Sequence, residues 1–224
     1  MSGLLQTFSE SMHDRVWTVR RECVEAIKTL VISTQGQEEG QSTLLQLLLL
    51  AMKDVSKWVR QAAKLALGYV LGVVSPSLIP ENVLQMFANL PQAEEETDEF
   101  EIAFSCAFTF PAVIRNCGPT AWMPLSSCYS SLFDIPSVTV LQTLAASFGE
   151  VAMVIGQEKT EEWIVPRVKE LLRSDKTDVV MAVMRSLEKL LPVVKEESWR
   201  ELVEVGYCNN GNVVFIIIII IFYD

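Results

Sequence analysis

Apolar residues recur along this chain with the spacing of one helical face, and the set returns about every forty residues. Val19, Cys23, Ala26 and Leu30 follow the pattern i, i+4, i+7, i+11, which places them on one side of an α-helix. The later sets are Val59, Ala63, Ala66 and Val70; Phe100, Phe104, Ala107 and Pro111; Val140, Leu144, Ser147 and Val151; and Val179, Val183, Ser186 and Leu190. Each set predicts the packed face of one helix. The third member is always Ala or Ser, so two helix backbones can approach closely there.

A second series of helices is predicted between these, each separated from its partner by a short turn. These helices are expected at 42–52, 81–90, 120–133 and 161–173, with a partial one at 197–205. A unit of helix, turn and helix every 40 residues or so is typical of HEAT and armadillo repeats. The predicted fold is therefore all-α, an α-solenoid (superhelix) of about five HEAT-like helical hairpins.

The predicted solenoid covers residues 1–206 and leaves an atypical tail at 207–224. Its units lie near 1–36, 40–74, 77–117, 119–156 and 160–194, with a partial unit at 197–206. We expect the chain to begin inside its first repeat and to stop inside its sixth. The tail holds a run of eleven apolar residues at 213–223, shorter than the roughly 20 that a membrane-spanning helix needs. It predicts neither a membrane segment nor a part of the fold.

An aspartate stands at the entry to four of the second helices. Asp14, Asp54, Asp134 and Asp175 occupy these positions, where a carboxylate can accept hydrogen bonds from backbone amides that the helix leaves free. Arg20 and Arg60 follow one turn inside their helices. We expect them to reach the aspartate of a neighbouring unit and to form a ladder of exposed ion pairs, each stabilising by about 0 to 1 kcal/mol.

Trp17 and Trp58 lie at the turn end of the second helix in the first two units. They allow two interpretations: the rings pack between neighbouring repeats, or they stand exposed as anchors for a partner, since interfaces are enriched in Trp and Arg. The turns of stacked hairpins line up, so the predicted partner-binding ridge carries cations and aromatic rings. Its members are His13, Arg15, Trp17, Lys57, Trp58 and Lys176.

The charge balance argues against two classes of partner. The formal net charge of -10 and the pI near 4.7 disfavour binding to nucleic acid or to an anionic membrane, which requires a basic face. By net charge alone a basic partner is favoured, and Glu94, Glu95 and Glu96 form a dense acidic run that is either a solvated loop or a docking strip for such a partner. The five cysteines form no CxxC pair, which predicts reduced thiols and a cytoplasmic location, with the nucleus as an alternative.

Nothing in the sequence predicts an enzyme, a cofactor or a metal site. His13 is the single histidine of the chain, so a catalytic triad or a histidine-based metal site cannot be assembled around it. The sequence contains no phosphate-binding glycine loop, no HExxH and no DxDxDG motif. A binding protein is therefore favoured.

Three stretches carry a resemblance to known proteins. DVSKWVRQAAKLALGYVL, at 54–71, resembles a HEAT repeat, while TDEFEIAFSCAFTFPAVI and SFGEVAMVIGQEKTEEWIVPRVKELLRSDKTDVV are similar to the protein phosphatase 4 regulatory subunit 1 family. The similarity runs in order from about 8 to 203. It implies a non-catalytic scaffold whose partner is the catalytic subunit of a serine/threonine phosphatase. The long acidic insert of that family is reduced here to PQAEEETDE.

A second function remains compatible with the sequence. HEAT-repeat adaptors of other classes serve in nuclear transport, or as cytoskeletal and trafficking scaffolds, and an acidic surface suits either class. The order of the matched segments favours the phosphatase scaffold.

Overall fold

The computed structural model describes residues 2–92 and 99–210, and every regular element in these ranges is helical. The first helices are α1 (Ser2–Ser11), α2 (Trp17–Ser33), α3 (Glu38–Ala51), α4 (Lys57–Leu71), α5 (Glu81–Asn89), α6 (Glu99–Cys117), α7 (Trp122–Phe133) and α8 (Val138–Ile155). They are followed by α9 (Gln157–Lys159), a π-helical segment (Thr160–Ile164), α10 (Val165–Leu171), α11 (Thr177–Leu190) and α12 (Glu196–Asn210). Because α9, the π-helical segment and α10 are continuous, the described residues form eleven helices.

The helices fall into two compact units, Met1–Leu132 and Phe133–Asp224. Within each unit the helices follow the predicted alternation of first and second helices. The predicted tail begins inside α12, which continues to Asn210; residues 211–224 lie outside the described ranges, as does the acidic run at 94–96. Glycine ends α6 and α8, since Gly118 and Gly156 have φ angles of 80° and 81°, a conformation that other residues rarely adopt.

The core of the first unit is formed by the second helices α2, α4 and α6 together with the buried faces of α3, α5 and α7. In α4, the predicted face of Val59, Ala63, Ala66 and Val70 is completely buried. α6 packs tightly against α4 beside Gly68, where a Cβ atom would stand 2.0 Å from Thr109 Oγ1 of α6. Near the C-terminal ends of α4 and α6, Asn116 Nδ2 donates to the carbonyl oxygens of Leu71 and Val74 at 2.8 and 2.7 Å.

The predicted packed face of α6 is wrong: the buried positions lie three residues further along the chain than the predicted ones. The buried residues with the i, i+4, i+7, i+11 spacing are Ala103, Ala107, Phe110 and Ile114. Phe100 and Phe104, assigned to this face from the period, are 57% and 39% exposed. α6 is apolar on more than one side, so a fixed 40-residue period can be matched to either stripe. In the first predicted repeat the packed face also differs from the prediction. α2 buries Val24, Ile27 and Val31, while Val19, a predicted member of the face, is exposed.

The second unit is built around the contact between α8 and α11. A Cβ atom added to Gly149 would lie 2.4 Å from Lys189 Cβ and 2.9 Å from the carbonyl oxygen of Ser186. Ser147 and Ser186 are buried here, so small residues occur at the close approach, as the pattern predicted. Among the described residues, α8 alone has the length and apolar composition to cross a membrane, and half of it is buried inside the protein. That burial is typical of a core helix.

Candidate partner-binding surface

Two aspartates set the entry to the second helices in the first unit. Asp14 Oδ1 accepts a hydrogen bond from the amide of Val16 at 2.7 Å, and Asp54 Oδ1 accepts one from the amide of Ser56 at 2.8 Å. Val16 and Ser56 are the residues that immediately precede α2 and α4. Each carboxylate therefore stabilises the turn just before the helix, rather than capping an amide inside the first helical turn.

The aspartates of the second unit have no such role. Within the described part of the chain, the carboxylates of Asp134 and Asp175 accept no hydrogen bond. A serine acts instead: Ser137 Oγ accepts from the amide of Val140 at 3.4 Å, and Ser174 Oγ accepts from the amide of Lys176 at 3.2 Å. The prediction of a capping aspartate is therefore wrong for this unit, since neighbouring hydroxyl groups already satisfy the amides at the turn.

Arg20 joins the first two turns through a bidentate ion pair. Its Nε and Nη2 atoms donate to the two carboxylate oxygens of Asp54, both at 2.7 Å. Its Nη1 atom donates to the carbonyl oxygen of Asp14 at 2.7 Å. The side chains of Arg20 and Asp54 are only 11% and 13% exposed, so this rung of the predicted ladder is largely buried rather than exposed. We call this pair the inter-turn clamp.

The clamp changes the acidity of both groups. The hydrogen bonds from Arg20 hold the pKa of the Asp54 carboxyl below its usual value, against a smaller opposing effect of burial. The same bonds raise the pKa of Arg20. Asp54 is therefore ionised in the folded protein at neutral pH.

In the described structure, Arg60 hydrogen-bonds to the turn before its own helix and not to the following repeat. Its Nη1 atom donates to the carbonyl oxygens of Asp54 at 2.8 Å and Val55 at 3.2 Å. The residue one period after Asp54 is Glu94, which lies outside the described residues. The next rung of the predicted ladder therefore stays a prediction.

Trp17 and Trp58 form a stacked pair across the first two repeats, which we call the tryptophan pair. Their ring centroids are 6.4 Å apart with an interplanar angle of 29°. The two residues remain 38% and 46% exposed. Lys57 Nζ lies 4.6 Å from the centroid of the Trp58 ring, within the range of a cation–π interaction. The rings thus pack between repeats and are accessible at the same time.

The other predicted members of the ridge divide between the two units. His13 and Arg15 are exposed in the turn before α2, and Lys57 is exposed at the start of α4. Lys176 is exposed at the start of α11 and belongs to the second unit. The cluster that the structure assembles in the first unit therefore comprises Arg15, Lys57 and the tryptophan pair, beside His13.

An open groove lies next to the tryptophan pair, between the first two turns. Its volume is about 380 Å³, and the clamp forms part of its wall. His13 and Lys53 line it together with the apolar side chains of Met12 and Leu50. The groove has room for a side chain of a partner, and its charged lining comprises the cations of Arg20 and Lys53 together with the carboxylates of Asp14 and Asp54.

A second set of exposed aromatic rings, formed by Tyr69, Phe104 and Phe108, was not predicted from the sequence, and we call it the aromatic cluster. The Phe108 centroid lies 6.2 Å from that of Tyr69 and 6.1 Å from that of Phe104. Lys28 Nζ stands 5.4 Å from the Tyr69 centroid. A signal was present: Phe100, Phe104 and Phe108 recur every four residues, which is one helix face, but the 40-residue pattern had assigned two of them to the core.

Charge is unevenly distributed in the first unit. Residues 14–33 and 53–71, which contain α2, α4 and the turns before them, hold eight Lys or Arg against four Asp or Glu. This surface is therefore net positive in a chain whose net charge is -10. An acidic partner fits it better than the basic partner that the whole-chain charge favours.

The described residues contain no group of three or more His, Cys, Asp or Glu side chains placed to hold a metal ion. The cysteines with described side chains are free thiols. Burial raises the pKa of Cys106 to about 12 and that of Cys117 to about 11, which is the opposite of what a nucleophilic thiol requires.

Comparison with known protein families supports the resemblance inferred from the sequence. Residues 106–205 match the model described as "Protein phosphatase 4 regulatory subunit 1 middle domain". Serine/threonine-protein phosphatase 4 regulatory subunit 1 from Homo sapiens and its counterpart from Mus musculus are each 27% identical to this chain over 125 residues. These alignments cover 55% of this chain and 13% of each relative, so the chain spans a small part of their length. The predicted resemblance is confirmed.

Solved structures confirm the fold class. A designed armadillo repeat protein aligns with a TM-score of 0.61 and 13% sequence identity, over 94% of both chains. A second, in complex with the peptide (KR)4, aligns with a TM-score of 0.64 and 14% identity, again over 94% of both chains. At this identity the comparison establishes the fold alone. The chain is an all-helical, armadillo-like repeat solenoid.

Proposed function

We propose that this chain is a non-catalytic regulatory or scaffold subunit of a serine/threonine protein phosphatase of the phosphatase 4 type. It binds the catalytic subunit, a substrate, or both. The observation that carries the proposal is the match of residues 106–205 to the middle domain of the phosphatase 4 regulatory subunit. The relatives are regulatory subunits by name, which agrees with a chain in which no catalytic motif was found. A cytoplasmic location, or a nuclear one, is part of the same proposal.

The tryptophan pair is the proposed contact with the partner. It lies outside the matched residues, so this assignment rests on geometry: two stacked, accessible rings with Arg15 and Lys57 beside them. Aromatic and arginine side chains contribute most of the energy at protein interfaces. Because the two rings already support each other, the partner does not have to order them on binding.

Affinity purification of the tagged full chain, followed by mass spectrometry, tests the function. We expect a serine/threonine phosphatase catalytic subunit to co-purify. Co-purification of transport cargo or tubulin in its place would favour the adaptor of another class.

The contact is tested separately with Trp17→Ala and Trp58→Ala. Met153→Ala is the matched control, because Met153 is an exposed apolar residue of the second unit. We expect each tryptophan variant to lose most of the bound phosphatase and the control to retain it. The rings are only partly buried, so Trp58→Ala should lower stability by about 1–2 kcal/mol, less than the 3–5 kcal/mol typical of a fully buried Trp. Full binding with both rings removed would rule out the tryptophan pair as the contact.

A further inference from the structure

The tryptophan pair and the aromatic cluster lie on one face of α4. Trp58 and Tyr69 are eleven residues apart, which at about 100° per residue brings Tyr69 to within roughly 20° of the same helix face. The rise of about 1.5 Å per residue separates them by about 16 Å along the helix. Trp17 and Lys28 of α2 have the same spacing, and they contact Trp58 and Tyr69 respectively. The two aromatic sites therefore form the two ends of a single surface.

The surface between these ends is polar and already hydrogen-bonded. Gln61 Nε2 donates to Glu101 Oε2 at 3.0 Å, and Ser105 Oγ donates to the carbonyl oxygen of Leu65 at 3.0 Å. These bonds connect α4 to α6. Phe100, on the same face of α6 as Phe104 and Phe108, is exposed as well. A segment that crosses the surface finds paired aromatic rings at the ends and hydrogen-bonded polar groups between them.

The two ends differ in charge. At the tryptophan pair, Arg15, Lys53 and Lys57 are exposed, and none of the three forms an ion pair within the described ranges. Two carboxylates lie in the same region: that of Asp54 is offset by Arg20, and that of Asp14 is exposed and accepts a hydrogen bond from the amide of Val16. The three cations therefore outnumber one uncompensated carboxylate. At the aromatic cluster, Lys28 is paired with Glu25 at 2.5 Å, so that end is close to neutral. A ligand that fits both ends is acidic at one end and apolar at the other.

We propose that the solvent-facing side of α2, α4 and α6 binds an extended, acidic segment of a partner protein. Its acidic residues lie at the tryptophan pair, and a bulky apolar residue lies on the aromatic cluster. An extended chain advances about 3.3 Å per residue, so a separation of about 16 Å sets the two features about five residues apart. The inference deepens the proposed function by naming the chemistry of the partner, and it rests on that function only for the partner's identity.

A single-stranded nucleic acid is the competing ligand, since cations and exposed aromatic rings also bind stacked bases. The spacing of the aromatic rings disfavours it. Successive bases stack on aromatic rings along the strand, whereas the two aromatic sites here are about 16 Å apart along α4, and the hydrogen bond between Gln61 and Glu101 lies between them.

Fluorescence anisotropy on the purified full chain tests the proposal with synthetic peptides. The probe is a labelled peptide with three aspartates at one end, a Gly-Ser spacer, and Leu-Phe about five residues away. One control peptide has lysine in place of aspartate, and another joins Leu-Phe directly to the aspartates. A labelled ten-nucleotide oligothymidine represents the competing ligand. We expect saturable binding of the spaced peptide, and at least tenfold weaker binding of all three others.

Variants of the chain locate the binding site. Tyr69→Ala with Phe108→Ala, and separately Lys57→Glu, should each weaken binding of the spaced peptide about tenfold, whereas Met153→Ala should not change it. Phe108→Ser alone serves as a second variant, since Phe108 is 55% exposed and its replacement leaves the core intact; melting curves verify folding. The proposal is overturned if the spaced peptide does not bind, if the lysine peptide or the oligonucleotide binds as tightly, or if the Phe108 variants bind normally. If the phosphatase co-purifies but the Phe108 variants bind the spaced peptide normally, the proposed function stands and this inference is rejected.

Discussion

Replacing Asp54 with asparagine should destabilise the first unit by about 2–3 kcal/mol. The change keeps the shape of the side chain and removes its charge from the inter-turn clamp. Exposed ion pairs contribute about 0–1 kcal/mol, while removing one partner of a fully buried pair costs about 3–5 kcal/mol. The clamp, at 11% and 13% exposure, lies nearer the buried case. Arg20 retains its bond to the Asp14 carbonyl oxygen, which limits the loss.

The effect should depend on pH with a definite sign. The pKa of Asp54 is lowered in the folded protein, so its contribution is complete above the unfolded-state value of about 4. It is lost as the pH falls through the lower folded-state pKa. The difference in unfolding free energy between the parent chain and Asp54→Asn should therefore be constant near neutral pH and shrink below about pH 4.

Urea denaturation followed by far-UV circular dichroism measures both effects. Glu150→Gln is the control, since Glu150 and Lys189 also join neighbouring second helices, at 3.0 Å, but are 40% and 54% exposed. Its cost should stay below about 0.5 kcal/mol. A double-mutant cycle with Arg20→Met isolates the pair from other losses. If Asp54→Asn costs no more than Glu150→Gln, or if its cost persists unchanged at a pH where Asp54 is protonated in the folded protein, the ion pair with Arg20 does not stabilise the first unit as predicted.

Two further predictions concern the core. Gly68→Ala and Gly149→Ala should each lower the melting temperature: alanine is the better helix former by about 1 kcal/mol, but the new Cβ would lie 2.0 Å from Thr109 Oγ1 or 2.4 Å from Lys189 Cβ, and overpacking costs about 1–3 kcal/mol. A higher melting temperature in either variant would show that the helices separate easily. The thiols of Cys106 and Cys128, whose pKa values burial raises, should resist alkylation in the native protein at mildly alkaline pH and react in denaturant. Peptide mass spectrometry after alkylation distinguishes them from the other cysteines, and rapid native labelling would contradict their burial.

The hairpin repeat could be predicted from the sequence because two independent signals coincide. The apolar spacing identifies the packed face of each second helix, and in α4, α8 and α11 the predicted residues are buried. Glycines with positive φ mark the ends of α6 and α8. Where a helix has one apolar stripe and a clear stop, the period alone is enough to place its core face.

The aromatic cluster was not predicted because α6 has two apolar stripes, and the 40-residue period matched the exposed one. Phe100 and Phe104 fit the 40-residue period, yet Ala103 and Ala107 are the buried residues. Only the contacts with α4 and α7 distinguish the stripes: Thr109 meets Gly68 of α4, and Phe110 packs against Trp122 and Tyr129 of α7 with centroids 6.3 and 4.9 Å away. Net charge averages over a surface on which cations and carboxylates are separated, so composition does not give the local charge of α2 and α4.

The inter-turn clamp and the tryptophan pair act together, and this explains why an exposed pair of large aromatic rings can persist on the surface. Trp17 begins α2 and Lys57 begins α4, so the two turns determine where the rings of Trp17 and Trp58 stand. Arg20 binds both turns at once, through the Asp14 carbonyl oxygen and the Asp54 carboxylate. The rings are thereby held in contact before any partner arrives, and a preorganised site loses less entropy on binding. The ion pair, which is largely buried, therefore contributes to recognition through the position of its neighbours as well as through its place in the wall of the groove.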